Sequence, residues 1–313
     1  MNKIISDLAV IVSTRNREAR LISLVQHLGK QDSLPALLVI VDSSENPIEQ
    51  DVVLSAFGVV GVSTQVKLVT SAPGLPHQRN VGISLVRKLC PDATQICFLD
   101  DDINFESNLL SEGSSILRAL DDAVCLGAFD TQWAGTNSAS RFRQKNGGRI
   151  LRSGIAIPSI PSKRANLVGW TPGFVMFIPA WVLERVTFRG EIRMYGEDVE
   201  FQLRASKFGK IYNSDALGIV HDYAEQGRDT YRDVQGFYDG FRWNQARFHP
   251  EVYKKLSILL HIALSVAYET YCAVSGQSKF GFEGVKGHLD FLKRLVVGEE
   301  LEQKVTHYDW LLY

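Results

Sequence analysis

Residues 7–13 (DLAVIVS) form an apolar run, the pattern of a strand buried on both faces. Over residues 17–30 the period changes, and Leu21, Leu24, Val25 and Leu28 fall on one face of a helix. A second unbroken run at 36–41 (ALLVIV) ends at Asp42, and a weaker strand covers 65–70. A helix is expected over 76–89. A fourth strand at 95–99 (QICFL) then leads directly into Asp100, Asp101 and Asp102. A helix near 106–120 and a fifth strand at 123–129 follow. Strands alternating with helices imply crossover connections and a mostly parallel sheet, so the predicted class is α/β.

The rhythm breaks over residues 130–162, which are polar and rich in Gly, Ser, Asn and Arg. This segment reads as a loop, or as a hairpin turning at Asn146, Gly147 and Gly148. Regularity resumes with a strand at 173–178, a short helix from Pro179, and a helix over 197–208 stopped by Gly209. A strand pair over 210–220 is expected to deliver His221, and beyond Tyr223 the chain reads as helical. Residues 1–225 are therefore expected to form one α/β domain, and 226–313 a helical C-terminal extension.

Within that extension, residues 256–274 are nearly all apolar or small, interrupted by His261 and Glu269. A spanning helix needs about 20 predominantly apolar residues, and an acid such as Glu269 is expensive in lipid. Three placements stay open: a packed core or oligomer helix, an interfacial helix, and a true span. Lys254 and Lys255 just ahead of it would suit an anionic membrane surface.

With 313 residues, 45% of them hydrophobic, the chain can bury one large core or two modest ones. Lys and Arg number 34 against 35 Asp and Glu, a net charge of −1, which argues against a nucleic-acid partner. The basic cluster of Arg141, Arg143, Lys145, Arg149 and Arg152 reads as a solvated loop, or as an attractor for phosphate-bearing lipid or glycan. Cys90, Cys97, Cys125 and Cys272 are scattered without a metal or disulfide spacing, as in a reducing compartment. Residues 1–7 lack an apolar leader, so secretion is not expected and a cytoplasmic protein is.

Three places carry candidate chemistry. Asp100, Asp101 and Asp102 follow a buried strand, where open α/β sheets bind ligands. Crowded carboxylates repel, and a hard divalent cation that also bridges phosphates would offset them; the alternative is a solvated cap on the next helix. Glu197 and Asp198 open a helix, which orients a carboxylate as a general base, or makes both acids simple caps. His221 follows a strand and reads as a metal ligand or as a structural histidine.

In this order the pieces resemble the inverting family 2 glycosyltransferases of the GT-A fold, over residues 8–222. The segment Val12-Ser13-Thr14-Arg15-Asn16-Arg17 looks like the family's first nucleotide-binding loop, and Asp42 stands where an acid contacts the donor's base. Arg79-Asn80-Val81-Gly82 is similar to the Arg-Asn-x-Gly helix whose arginine lies near the nucleotide. Asp100 to Asp102 resembles the DxD motif, with Asp100 and Asp102 as its defining pair because they turn to one side of an extended segment. Gly173 looks like the start of the strand along the sugar and acceptor pocket, and Glu197-Asp198 like the pair that includes the catalytic base. His221 matches the late histidine that completes metal coordination. The sequence departs from the pattern at Ser43-Ser44, where the family more often has an acid before Gly-Ser.

The resemblance implies a nucleotide-sugar-binding sheet flanked by helices and a manganese or magnesium ion held by Asp102 and His221. Thr14, Arg15, Asn16, Arg17, Asp42, Arg79, Asp100 and Asp101 would hold the donor nucleotide, and Asp198, with Glu197 beside it, would supply the base. Trp133, Trp170 and Gly173 would line the sugar and acceptor pocket, although each tryptophan suits a buried core equally. The donor would be a UDP- or dTDP-sugar, and the acceptor a glycan or lipid-linked oligosaccharide of a bacterial-type surface polysaccharide. The extension would contact the acceptor, a second copy, or the inner face of the cell membrane. The competing readings are a non-catalytic nucleotide-sugar or glycan scaffold, a metal-dependent nucleotidyltransferase, and a haloacid-dehalogenase-type phosphohydrolase. The last wants its acids on the first strand, not the fourth.

Overall fold

The structure, a computed structural model, describes residues 3–58, 64–131, 147–159, 165–192, 196–222 and 231–297. The chain divides into two compact units. The first comprises Met1–Arg149, Pro158–Gly190 and Asp198–Gly227; the second comprises Ile150–Ile157, Glu191–Glu197 and Arg228–Tyr313.

The first unit is built on one sheet. Its strands are β1 (Lys3–Thr14), β2 (Ser33–Asp42), β3 (Gln65–Thr70), β4 (Gln95–Asp100) and β5 (Ile103–Phe105). They continue as β6 (Ala123–Asp130), β7 (Asn166–Val168), β8 (Val175–Pro179) and β9 (Lys210–His221). The order is β3-β2-β1-β4-β8-β6-β9-β5, with β7 also paired to β9. Strands β3, β2, β1 and β4 are parallel neighbours, as are β6 and β9. Strand β8 runs antiparallel between β4 and β6, and β5 and β7 run antiparallel to β9. The sheet is thus mostly parallel, as expected for strands joined by helical crossovers.

Both faces are covered, which is why the central strands read as unbroken apolar runs. Leu8, Val10 and Val12 of β1 pack with Leu21, Leu24 and Leu28 of α1 (Glu18–Gly29), Val53 and Phe57 of α2 (Gln50–Phe57), and Leu110 and Leu117 of α4 (Leu109–Arg118). Ala9 and Ile11 point the other way. They join Ile83 and Val86 of α3 (Leu75–Leu89), Val182 and Leu183 of α5 (Ala180–Arg185), and Phe201 and Ala205 of α6 (Glu197–Ala205). Helix α3 lies so close to β1 that a Cβ on Gly82 would stand 2.5 Å from Ile11 Cγ2, so only glycine fits there.

Strand register sets the site. Thr14 pairs with Asp42 and Ser13 with Asp100, so the carboxyl ends of β1, β2 and β4 form a single rim.

Some elements differ from the sequence reading. The strand pair expected over 210–220 is one strand, β9, with Asp215, Ala216 and Leu217 bulged out between its pairings to Ala128 and Phe129. Helix α2 and strands β5 and β7 carry too few buried residues to announce themselves. The loop expected over 130–162 lies partly outside the described residues; within it, Ile150 and Ala156 form an antiparallel bridge.

The second unit contains α7 (Tyr231–Phe248), α8 (Lys255–Val274) and α9 (Glu283–Val297). Residues 150–157 join it through the Lys254 N–H, which donates to the Arg152 carbonyl at 2.8 Å. Inside it Asp239 is fully buried, 2.5 Å from His288 Nδ1 and 3.4 Å from Arg242 Nη1. Those partners offset the desolvation of its charge.

Candidate active site

Asp100 closes β4, and Asp101 and Asp102 form the turn into β5. Because β5 pairs with β9, Ile103 lies opposite His221, and the Asp222 N–H donates to the Asp102 carbonyl at 2.9 Å. Asp222 is in turn ion-paired to Arg20 of α1. The result places His221 Nε2 3.0 Å from Asp102 Oδ1. One ligand atom each from Asp100, Asp102 and His221 lie within 4.8 Å of one another. Two carboxylates and an imidazole form a donor set suited to a divalent cation.

Asp101 is turned to a different task. Its Oδ2 accepts from Thr14 Oγ1 at 2.7 Å and its Oδ1 from Arg17 Nη1 at 2.8 Å. Arg17 also approaches Asp102 Oδ2 at 3.5 Å. Thus Asp101 anchors the loop after β1, while Asp100 and Asp102 face His221.

That loop forms one wall of a cleft of about 320 Å³ lined by Thr14, Asn16, Arg17, Asp42, Ser44 and Asn46, among others. Asn16 holds a left-handed backbone, φ 54°, and its side-chain oxygen accepts from the Glu45 N–H at 3.0 Å. The Asn16 N–H donates to Ser44 Oγ at 2.7 Å, so the loops after β1 and β2 are stitched together. Asp42 is buried and shapes the second loop, accepting from the Ser44 N–H at 2.8 Å and the Ile48 N–H at 3.1 Å. Arg15 Nε is shielded from solvent with no hydrogen-bond partner among the described residues.

Arg79 is only 2% exposed. Its Nη2 donates to the Gly173 carbonyl at 3.1 Å and lies 3.4 Å from Asp100 Oδ1, and its guanidinium sits 5.1 Å over the Phe188 ring. Asp198 takes the other side of Gly173: its Oδ2 accepts from the Gly173 N–H and its Oδ1 from the Val199 N–H, both at 2.8 Å. Gly173 is therefore clamped between an acid and a base, and a Cβ there would stand 2.9 Å from Asp198 Cβ and 3.3 Å from Arg79 Nη2.

Electrostatics follow from that packing. Burial pushes the Asp100 carboxyl up to about 6, with Arg79 pulling it down and Asp102 adding to the rise. Burial likewise raises Asp101, against the pull of Arg17 and Thr14. It raises Asp198 too, opposed by Arg79 and by the two backbone N–H groups. Arg79 is the shared counter-charge for Asp100 and Asp198.

The remaining candidates are placed as follows. Trp170 is 8% exposed and lies next to Thr171, whose backbone is gripped at both ends by the Gln202 amide. Glu197 is buried as the first residue of α6 and belongs to the second unit. Trp133 lies outside the described residues. Gln78 carries no signal in the sequence, yet its buried amide donates to the carbonyls of Thr14 and Val41 at 2.9 Å and locks the rim.

No protein-family model and no curated protein matches this sequence. Solved structures do. The mannosyltransferase PcManGT from Pyrobaculum calidifontis, in complex with GDP-Man and Mn2+, superposes with a TM-score of 0.58 at 11% identity. The match covers 93% of this chain and 86% of that one. Residues 1–349 of S. aureus TarS match with a TM-score of 0.50 at 15% identity, over 94% of this chain and 92% of theirs. Against a longer form of S. aureus TarS, this chain spans 40% of its partner's length. The chain has the GT-A glycosyltransferase fold. At these identities the likeness concerns the fold, and activity must be argued from the site.

Proposed function

We propose that this protein is a metal-dependent, inverting glycosyltransferase of the family 2 type. It would transfer a sugar from a nucleoside-diphosphate donor to a hydroxyl of a glycan or lipid-linked acceptor. The observation that carries the reading is the grouping of Asp100, Asp102 and His221 within 4.8 Å, on the same rim as the cleft walled by Thr14, Asn16, Arg17 and Asp42. In support, the structural neighbours include a mannosyltransferase with GDP-Man and Mn2+, and TarS with UDP-GlcNAc.

Asp100, Asp102 and His221 would hold a manganese or magnesium ion, which when bound neutralises the donor diphosphate and its charge on leaving. Thr14, Asn16 and the loop after Asp42 would cradle the base and ribose of a UDP- or dTDP-sugar. Arg15 and Arg17 would add positive charge beside the phosphates. Asp198 is not one of those three ligands; it is fixed by the Gly173 and Val199 N–H groups and shares Arg79 with Asp100. Its raised pKa strengthens it as a base, so it would accept the proton of the incoming hydroxyl. A base separate from the ion that serves the leaving group fits one in-line displacement, hence inversion. Trp170 would back the sugar pocket from a largely buried position. The expected setting is cytoplasmic synthesis of a surface polysaccharide.

The testing experiment is thermal unfolding with a panel of nucleoside diphosphates, with and without Mn2+. A ligand at about 100 times its dissociation constant stabilises the fold by roughly 2.7 kcal/mol. A metal-dependent shift for one diphosphate supports the site and identifies the base. No shift with any nucleotide in folded protein overturns it. Incubation with the matching nucleotide sugar and acceptor then separates transfer from nucleotidyl chemistry, since only transfer releases the diphosphate with the sugar moved.

A further inference from the structure

We propose that the outward face of α8 docks on the surface of an anionic lipid bilayer, with the helix lying in the plane of the interface. This helix is apolar on its outer face as well as its inner one. Leu256, Leu260, Leu264, Tyr268, Tyr271 and Val274 are each 60 to 80% exposed, although a surface helix ordinarily turns such residues inward. They recur at helical spacing along all 20 residues of α8, a stripe about 30 Å long. The polar positions face the protein instead. Glu269 is the single acid in α8, and its Oε1 lies 3.9 Å from His288 Nε2 of α9; His261 and Ser265 are half-buried beside it.

By length and composition α8 is able to cross a membrane. Its other face, however, is in use: Ile258 and Ile262 are buried, and Glu269 meets α9 within the second unit. Among the described residues α8 is the one helix long and apolar enough to enter lipid, so a bundle that holds its other face keeps it on a bilayer rather than through it.

The charges choose between a lipid surface and a second copy. Lys254 and Lys255 are exposed at the start of the stripe and Lys279 just past its end, where cations meet anionic headgroups. Phe280 and Phe282, 46 and 47% exposed, follow Lys279 and supply further apolar contacts. A helix seam between copies would instead be flanked along its length by charges that set register. Here the flanking positions, Ser257, Ala263, Ala267 and Thr270, are small and uncharged. An apolar stripe framed by lysines at its ends fits a bilayer interface.

The test is vesicle co-sedimentation of the full chain, with phosphatidylcholine alone and with phosphatidylcholine plus phosphatidylglycerol. The variants are Leu260→Glu/Leu264→Glu and Lys254→Gln/Lys255→Gln. All four positions are exposed, and unfolding midpoints matching wild type confirm that both variants fold. Wild type is expected to bind the phosphatidylglycerol vesicles and the leucine variant to lose that binding. The lysine variant is expected to bind about 30-fold more weakly, a factor of about five for each cation near the surface. The proposal is overturned by absent binding of folded wild type, by equal binding of the leucine variant, or by indifference to phosphatidylglycerol. It is equally overturned by a stable dimer in lipid-free buffer that the leucine variant dissociates, which would assign the face to a second copy. None of these outcomes depends on the nucleotide-binding reading.

Discussion

His221 Nε2 lies 3.0 Å from Asp102 Oδ1, although 119 residues separate them in the chain. The sheet makes this contact: Ile103 of β5 pairs with His221 of β9, and the Asp222 N–H closes on the Asp102 carbonyl. Since backbone pairing holds the arrangement, the imidazole can be removed without dismantling it. His221→Ala is expected to fold with a near-native unfolding midpoint yet bind Mn2+ at least about 10-fold more weakly. Calorimetric metal titration checks this, and an unchanged affinity removes His221 from the ligand set.

The Asp100 carboxyl, lifted to about 6 from the 3.8 of a free aspartate, sets a pH dependence. Between those values the native state keeps a proton that the unfolded chain has released. Metal-free stability attributable to this group therefore falls as pH rises through that window. An ion requires the deprotonated carboxylate, so Mn2+ affinity is expected to weaken as pH drops below about 6. Denaturant titrations of wild type and Asp100→Asn across this range give the first effect, which the variant should lack. Metal titrations at about pH 5 and about pH 7.5 give the second.

Gly173 tests the clamp between Asp198 and Arg79. In Gly173→Ala the new methyl would stand 2.9 Å from Asp198 Cβ and 3.1 Å from its Oδ2, so Asp198 must move. Overpacking of this kind costs about 1–3 kcal/mol. Misplacing the base lowers turnover of the proposed transfer, by about 100-fold for a shift near 1 Å. Nucleotide binding, proposed at the loops after β1 and β2, should persist. The paired measurements are kcat and the nucleotide-dependent thermal shift; loss of both together would mean the rim itself had collapsed.

Asp198→Asn separates chemistry from architecture without changing size. The amide oxygen can keep the Gly173 N–H bond while the amide nitrogen gives up that of Val199, so the unfolding midpoint is measured alongside and is expected to stay close to wild type. A lost general base removes about 100- to 10,000-fold of rate. Transfer assays are expected to show that loss beside an unchanged metal-dependent nucleotide shift. Near wild-type turnover would exclude Asp198 as the base.

Much of this was readable in the sequence, for physical reasons. Strands β1, β2 and β4 are covered on both faces, so their apolar runs are unbroken, and the acids at Asp42 and Asp100 mark where the rim begins. Helix α2 was invisible because Val53 and Phe57 are its only buried positions. Strand β5 has three residues, and pairing with β9, which no local pattern encodes, makes it a strand. In the site, the acids and His221 were legible, and the pairings that set Asp101 apart from Asp100 and Asp102 were not. Asp101 looks identical to its neighbours until Thr14 and Arg17 claim it. Gln78 is an ordinary helical glutamine until α3 sets its amide against the ends of β1 and β2.

Arg79 is the same lesson at its sharpest, and its removal is the strongest stability prediction. The family resemblance implies a place near the nucleotide; in the fold its guanidinium is buried, bonded to the Gly173 carbonyl and close to Asp100, while its charge also pulls down the pKa of Asp198. Arg79→Met keeps the apolar stem against Phe188 and deletes the charge, leaving two half-buried carboxylates without their shared cation. Breaking a buried pair in this way costs roughly 3–5 kcal/mol. The sign of its pH dependence follows. Without Arg79 the carboxyl of Asp100 rises further above about 6, so the penalty is full at higher pH and shrinks as acid protonates the group. Urea titrations of both proteins at about pH 5 and about pH 8 should show the gap narrowing at the lower value. A gap independent of pH would mean that Arg79 stabilises the fold by packing on Phe188 rather than by its charge.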